Sequence, residues 1–298
     1  MPKLDVFLLC HNRPKLAKKT ILSILQQKNQ NFKLTISDNS TNNEMELMVS
    51  NEFPEINYIR RRPSTPAFDH FNLCLSEISH EYFCLFHDDD IMLPEYTESI
   101  QQAIQTFPET IAFGANALIE LQGKLQEKPS FTFTAPFKFI TKPQVLLKLY
   151  FGRYQSGIAP FPGYIYKRSA LKELKFNNFG GKYSDVIWLL KITEQNHITW
   201  IARPLFIYRI HGDNDGLIES PKDRLKLLGF LKQNPSLSNP QLIADYRFFL
   251  YKKILSSKSR INNTKQLKIL NHQIAKFRIS RFLRISDYLN LLKKIIRA

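Results

Sequence analysis

Cysteine is scarce in this chain: 298 residues hold only Cys10, Cys74 and Cys84. Two of them lie in apolar strand-like runs and none has metal-site spacing. We therefore expect reduced core thiols rather than a disulfide framework or a zinc site. No apolar run reaches the roughly 18 residues of a membrane-spanning helix, so none is expected. The opening Met1-Pro2-Lys3-Leu4-Asp5 carries no signal-peptide core, and a cytoplasmic protein is the expectation. The ten glycines form no Gly-rich phosphate cradle.

Acid is missing from one end. Residues 221–298 contain 18 of the 42 basic residues but 3 of the 26 acidic ones, a net of +15 out of the total +16. Residues 1–220 are left with a net of +1, almost neutral. The asymmetry divides the chain into 1–220 and a basic helical region 221–298, and it points the latter toward an anionic partner. What remains is rich enough in apolar residues, 43 % of the total, to build a sizeable core.

The first 120 residues alternate strand and helix patterns. Strands are expected at Leu4–Cys10, Phe32–Ser37, Asn57–Arg60, Tyr82–Phe86 and Ile111–Leu118, with helices after Pro14, over 66–79 and after Pro94. This order implies an α/β fold, a Rossmann-like and mostly parallel sheet flanked by helices. Ligands of such sheets bind beyond the carboxyl ends of the strands, where Asp38 and Asp88-Asp89-Asp90 fall. Further on, Phe131–Phe139 reads as an edge strand, Ser184 as the N-cap of a helix, and 199–202 and 205–210 as strands.

Three adjacent carboxylates raise one another's pKa, and a hard divalent cation, Mg²⁺ or Mn²⁺, relieves the repulsion. A cation held there neutralises the charge that builds on a diphosphate leaving group. The alternative is an acidic cap for the helix after Pro94.

The chain also resembles the family 2 glycosyltransferases of the GT-A fold over about residues 3–215. Four stretches carry the likeness: Val6-Phe7-Leu8-Leu9-Cys10-His11-Asn12-Arg13-Pro14, the helix Thr20–Gln27, Ile36-Ser37-Asp38-Asn39-Ser40-Thr41, and Phe86-His87-Asp88-Asp89-Asp90-Ile91-Met92-Leu93-Pro94. The resemblance implies an inverting, metal-dependent transfer of a sugar from a nucleotide-diphosphate donor, a UDP-sugar being favoured, to a glycan or lipid-linked glycan in surface polysaccharide biosynthesis. By the same resemblance Leu9, Cys10, His11, Asn12 and Arg13 would line the nucleotide pocket and Asp38 would bond the base. Asp88 and Asp89 would contact the donor, with Asp90, Asp88 and His211 as metal ligands. His87 stands where the family often has an acid. Asp185, in Tyr183-Ser184-Asp185, would be the general base. Each role has a plainer counterpart: an Asx-turn at Asp38, a helix-capping acid at Asp185, an ordinary histidine at 211. Phe151-Gly152-Arg153-Tyr154 and Phe161-Pro162-Gly163-Tyr164 read as core packing or as an acceptor pocket.

Two other functions compete. A sugar nucleotidyltransferase uses the same acids but releases pyrophosphate, and a non-catalytic, membrane-associated glycan-binding protein would bind nucleotide without turnover. In the tail, Ile285, Tyr288, Leu289, Leu292, Ile295 and Ile296 share a helical face. That pattern suits either the inner surface of an anionic membrane or packing on the domain. No nucleic-acid module is recognisable.

Overall fold

The computed structural model describes residues 2–151, 157–172, 174–212 and 221–258. Gly152, Arg153 and Tyr154 and the amphipathic segment 284–298 lie outside them, while Phe151 is buried in the core. Among the described residues ten strands join in one sheet, in the order β3 (Asn57–Arg60), β2 (Phe32–Asp38), β1 (Leu4–Cys10), β4 (Tyr82–His87), β9 (Tyr164–Lys167), β6 (Ala112–Leu121), β10 (Ile198–Ile210), β5 (Ile91–Met92), with β7 (Lys124–Leu125) on β6 and β8 (Phe137–Ile140) on β10.

The sheet's parallel half follows the sequence. β1 (Leu4–Cys10), β2 (Phe32–Asp38), β3 (Asn57–Arg60) and β4 (Tyr82–His87) pair side by side in parallel, joined by α1 (Pro14–Leu25), α2 (Glu44–Glu52) and α3 (Ala67–Ser76). β1 is buried along its whole length, which explains its unbroken apolar run. Phe7 and Leu9 join one core layer, with Phe83 and Leu85 of β4. Val6, Leu8 and Cys10 join the other, with Cys84 and Phe86. All three cysteines are free and buried. Asp5, also buried in β1, accepts from the backbone N–H groups of Ser79 and His80, both at 2.7 Å, and ties the α3–β4 loop to the sheet.

The other half is mixed. β6 (Ala112–Leu121) and β10 (Ile198–Ile210) are parallel, but β9 (Tyr164–Lys167) enters antiparallel between β4 and β6. The two strand segments read at 199–202 and 205–210 are one strand, with register shifts around Pro204 where proline supplies no ladder donor. The strand expected at 131–139 reduces to a bridge at Phe131 and the short β8 (Phe137–Ile140), because Pro136 interrupts it. The helices α2 and α5 (Pro143–Phe151) had no clear sequence signal. Phe161, Pro162, Gly163 and Tyr164 are buried, and a Cβ on Gly163 would lie 2.3 Å from the Phe206 ring; this segment is core.

After the aspartates, β5 (Ile91–Met92) pairs antiparallel with Phe206 and Ile207 of β10, and α4 (Tyr96–Thr106) follows. That pairing brings the end of β10 over the aspartate turn. α6 (Ser184–Gln195) packs against α5, while α7 (Pro221–Gln233) and α8 (Pro240–Lys258) lie on the same core. Leu227, Leu228, Leu231, Leu242 and Tyr246 share one buried cluster with Ile187 and Trp188 of α6.

Candidate active site

Beyond the ends of β1, β2 and β4 the chain turns sharply, and each turn is fixed by a carboxylate. Asn12 adopts φ +55°, a left-handed conformation that asparagine tolerates, and its amide accepts from Thr41 N at 2.9 Å and donates to Thr41 Oγ1 at 3.0 Å. Asp88 Oδ2 accepts from His11 N at 3.0 Å, and Asp88 N donates to Leu9 O at 3.2 Å. The ends of β1 and β4 are thus locked together.

Arg13 joins two of the three aspartates. Its Nη2 lies 2.5 Å from Asp88 Oδ1 and its Nη1 2.6 Å from Asp89 Oδ2. Burial pushes the Asp88 carboxyl up to about 6 even against the pull of Arg13. For Asp89 burial acts in the same direction, but His87, Arg13 and His211 outweigh it and hold the carboxyl below its ordinary value. Burial and the neighbouring Asp89 push Asp90 the other way, well above the carboxylate range. A cation bound beside Asp90 would relieve both the burial and the like-charge repulsion that raise it.

The backbone of this turn is clamped from beneath. Thr20 Oγ1 is 2.8 Å from Asp88 O and 2.7 Å from Asp90 O. The Arg209 side chain donates to Asp89 O, and its backbone N–H donates to Asp90 Oδ1 at 2.9 Å. His211 Nε2 lies 3.2 Å from Asp89 Oδ2. Asp90 Oδ2 and His87 Nε2 are buried without a hydrogen-bond partner. Burial lowers the His87 pKa against the pull of Asp89, which favours release of the ring proton and a nitrogen able to ligate. Ligand atoms of His87, Asp89 and Asp90 fall within 4.8 Å of one another. The donor set fits a divalent cation: two carboxylates and an imidazole, with one Asp90 oxygen and one His87 nitrogen otherwise unpartnered. Of the three ligands expected from sequence, Asp90 is in this cluster, Asp88 is turned toward Arg13 and His11, and His211 meets Asp89 from β10.

Asp38, wholly buried at the end of β2, accepts from Ser40 N at 2.8 Å through Oδ1, an Asx-turn. Its Oδ2 accepts from Tyr58 OH at 2.6 Å and from Arg60. Tyr58 and Arg60 were not singled out from sequence. They are two residues apart on β3 and so face the same side, and the parallel register sets Arg60 opposite Asp38.

Across the sheet, Asp185 occupies the first turn of α6. Tyr183, not Ser184, is the N-cap; Ser184 Oγ instead donates to Gly181 O at 2.8 Å. Asp185 Oδ1 accepts from Val186 N at 2.8 Å. A carboxylate in the first turn of a helix would ordinarily be a stronger acid. Here burial overrides the helix end and pushes Asp185 up to about 6. Its charge in turn adds to burial in raising the phenols of Tyr150, Tyr164, Tyr166 and Tyr208.

Residues 5–175 match the family model described as "Glycosyl transferase family 2". The chain belongs to glycosyltransferase family 2. It is therefore an enzyme that transfers a sugar, and the nucleotidyltransferase reading falls. The match includes Asp38 and Asp88–Asp90 and stops before Asp185 and His211. A relative from Campylobacter jejuni, "GalNAc(5)-diNAcBac-PP-undecaprenol beta-1,3-glucosyltransferase", is 25 % identical over 244 residues, 80 % of this chain and 75 % of that one. Among solved structures, S. aureus TarS 1-349 in complex with UDP-GlcNAc superposes with a TM-score of 0.67 at 16 % identity, covering 92 % of this chain and 80 % of that one. The mannosyltransferase PcManGT from Pyrobaculum calidifontis, in complex with GDP-Man and Mn²⁺, gives 0.55 at 11 % identity over 92 % of this chain and 80 % of that one. These likenesses establish the fold of this family 2 enzyme as that of the GT-A glycosyltransferases. No described helix of the enzyme is long and apolar enough to cross a membrane.

Proposed function

We propose that this glycosyltransferase is inverting, depends on a divalent cation, and moves a sugar from a UDP-sugar to a hydroxyl of a lipid-linked glycan in surface polysaccharide biosynthesis. The observation that carries the reading is Asp185: a half-buried carboxyl at the start of α6, pushed up to about 6 by its surroundings, on a different element from the aspartate turn and able to take a proton at neutral pH. A base on an element apart from the diphosphate site fits a single displacement. The acceptor oxygen bonds to the anomeric carbon as its proton passes to Asp185. The bond from that carbon to the diphosphate oxygen breaks, its electron pair leaves with the nucleoside diphosphate, and the configuration inverts.

His87, Asp89 and Asp90 would hold Mn²⁺ or Mg²⁺, which when bound neutralises charge on the leaving diphosphate. Arg13, spanning Asp88 and Asp89, keeps those carboxylates apart and oriented, and His211 lies where it would meet the diphosphate. At the other end of the donor, Asp38 presents an acceptor beside the donors Tyr58 and Arg60. Both donate to Asp38 Oδ2 itself, so they orient a carboxylate that would bond the base. The UDP-GlcNAc bound by TarS supports the choice of donor, and the name of the Campylobacter relative, with its undecaprenol-linked substrate, supports the acceptor. PcManGT's Mn²⁺ supports the cation. We place the enzyme peripherally on the cytoplasmic face of the membrane, on the strength of the net +15 in 221–298.

Thermal unfolding with UDP, dTDP, GDP or ATP, each with and without Mn²⁺, tests the donor site, with Asp90→Asn as control. A ligand at about a hundred times its dissociation constant adds ~2.7 kcal/mol, a readable shift in midpoint. A Mn²⁺-dependent shift with UDP, lost in the control, is expected. Release of UDP from a panel of UDP-sugars then tests the donor; turnover only with sugars of another nucleotide would overturn it.

A further inference from the structure

We propose that α7 is a positioning element for the catalytic base: Arg224, held between the rings of Tyr183 and Phe249, and Asp223, seated against Gly181, fix the turn that presents Asp185. This rests on the reading of Asp185 as the base. The basic C-terminal region would then serve catalysis as well as any surface it contacts.

The turn in question, Gly181–Tyr183, is a single 3₁₀ turn leading directly into α6. It is not part of the sheet, and two contacts from α7 hold it, one of them braced by α8. Gly181 has φ +58°, a left-handed conformation that favours glycine. A Cβ there would lie 2.0 Å from Asp223 Oδ1 and 2.7 Å from Asp223 Cβ, so the α7 residue occupies the space a side chain would need. The Arg224 guanidinium carbon is 4.7 Å from the Tyr183 ring centroid and 5.0 Å from that of Phe249 in α8. Arg224 is 8 % exposed, and its carbonyl accepts from Tyr246 OH at 3.1 Å. A planar cation between two rings fixes their orientation in a way that a bulky aliphatic side chain of similar volume would not. Upstream, Phe179 stacks on Phe230 of α7 with centroids 6.2 Å apart. Downstream, Ser184 hands the turn to the helix through its bond to Gly181 O. Between Phe179 and Ser184, then, α7 meets the chain at Phe179, Gly181 and Tyr183.

A guanidinium is costly to bury, and an apolar residue in its place would pack without that cost. Simple packing predicts that an apolar substitute is harmless. Positioning predicts that it is not, because Asp185 must sit within hydrogen-bond reach of the acceptor hydroxyl and loses rate steeply with small displacements.

The test uses the full-length enzyme and the UDP-sugar that the wild type turns over fastest. Arg224→Met should lower kcat for UDP release at least tenfold. The donor KM and the UDP–Mn²⁺ thermal shift should stay within about twofold, since the aspartate turn is untouched. Arg224→Lys, which keeps a cation over the rings, should recover part of kcat. Deuterium exchange of amides in the peptide spanning 178–190 should rise in Arg224→Met, with the peptide spanning 86–92 unchanged. Gly181→Ala should give the same split from the other side of the contact, and it stands in should the methionine variant fail to fold. Wild-type kcat in both Arg224→Met and Gly181→Ala overturns the proposal. So does a parallel loss of kcat, donor affinity and melting temperature, which would mark general packing. Activity in Asp185→Asn would instead refute the assignment of the base and leave the contact between α7 and the turn as mere structure.

Discussion

Asp185→Asn should make this enzyme nearly inactive and more stable at once. The ordinary carboxyl value is 3.8 and burial raises Asp185 to about 6. The folded state therefore holds this proton more tightly than the unfolded chain. Stability is fullest below the unfolded value and declines as pH rises from 3.8 to about 6, after which the deficit is constant. A gap of about two pH units at ~1.36 kcal/mol each bounds that deficit near 3 kcal/mol. Partial solvent access to the side chain reduces it, so ~1–3 kcal/mol is the working range. Asparagine carries no charge and keeps an oxygen for the Val186 N–H, so it escapes the penalty. At pH 8 the variant should melt several degrees higher, at ~2–4 °C per kcal/mol for a domain of this size. Near pH 4.5 the difference should shrink to about a third of that. Turnover should fall ~10²–10⁴-fold, as removal of a general base does. In the wild type, kcat/KM should drop about tenfold per pH unit below pH 6. The measurements are calorimetric melting at pH 4.5 and 8 and a pH–rate profile of UDP release. Turnover within tenfold of wild type would refute the role of Asp185. A melting difference that does not change with pH would refute the burial argument behind its pKa.

Thr20→Val, which removes the hydroxyl under Asp88 O and Asp90 O, should weaken Mn²⁺-dependent binding of UDP about tenfold, ~1.4 kcal/mol, while Thr20→Ser restores it; a Mn²⁺ titration followed by thermal shift decides, and an unaltered valine variant would sink the clamp. Arg60→Met should raise the donor KM ~10–100-fold, the worth of a charge-assisted hydrogen bond, with kcat at saturating donor little changed. An unchanged KM there would show that Arg60 does not orient Asp38 toward the base. Asp5→Asn should cost ~1–3 kcal/mol in urea unfolding at pH 7, because it weakens charge-assisted bonds to Ser79 and His80. The His80 contacts hold the Asp5 carboxyl low against burial, so its contribution is present above 3.8 and lost as pH falls through the lower folded value. The gap between the proteins should therefore close in acid, and a gap independent of pH would contradict it.

What the sequence determined on its own was the parallel half of the sheet and the address of the chemistry. β1 and β4 are legible because buried parallel strands read as unbroken apolar runs, the first punctuated by Pro14, and β2 because Phe32, Leu34 and Ile36 alternate up to the cap and turn residues around Asp38. Residues at the ends of such strands line the ligand crevice by geometry alone, so Asp38 and the three aspartates could be placed before any coordinates. The antiparallel β9 was not legible, because four residues of Tyr-Ile-Tyr-Lys carry no period that distinguishes them from a loop. Tertiary structure decided the division of labour among the aspartates. Adjacent residues on a turn point in different directions, and only packing showed Asp88 turned to Arg13 and Asp90 left with an unpartnered oxygen. Long-range contact also brought His211 and Arg209 to Asp89, through a β5–β10 pairing that joins segments about 115 residues apart. The pKa of Asp185 is of the same kind. Its place in a helix's first turn argues for a strong acid, and only burial, a property of the assembled fold, reverses the sign.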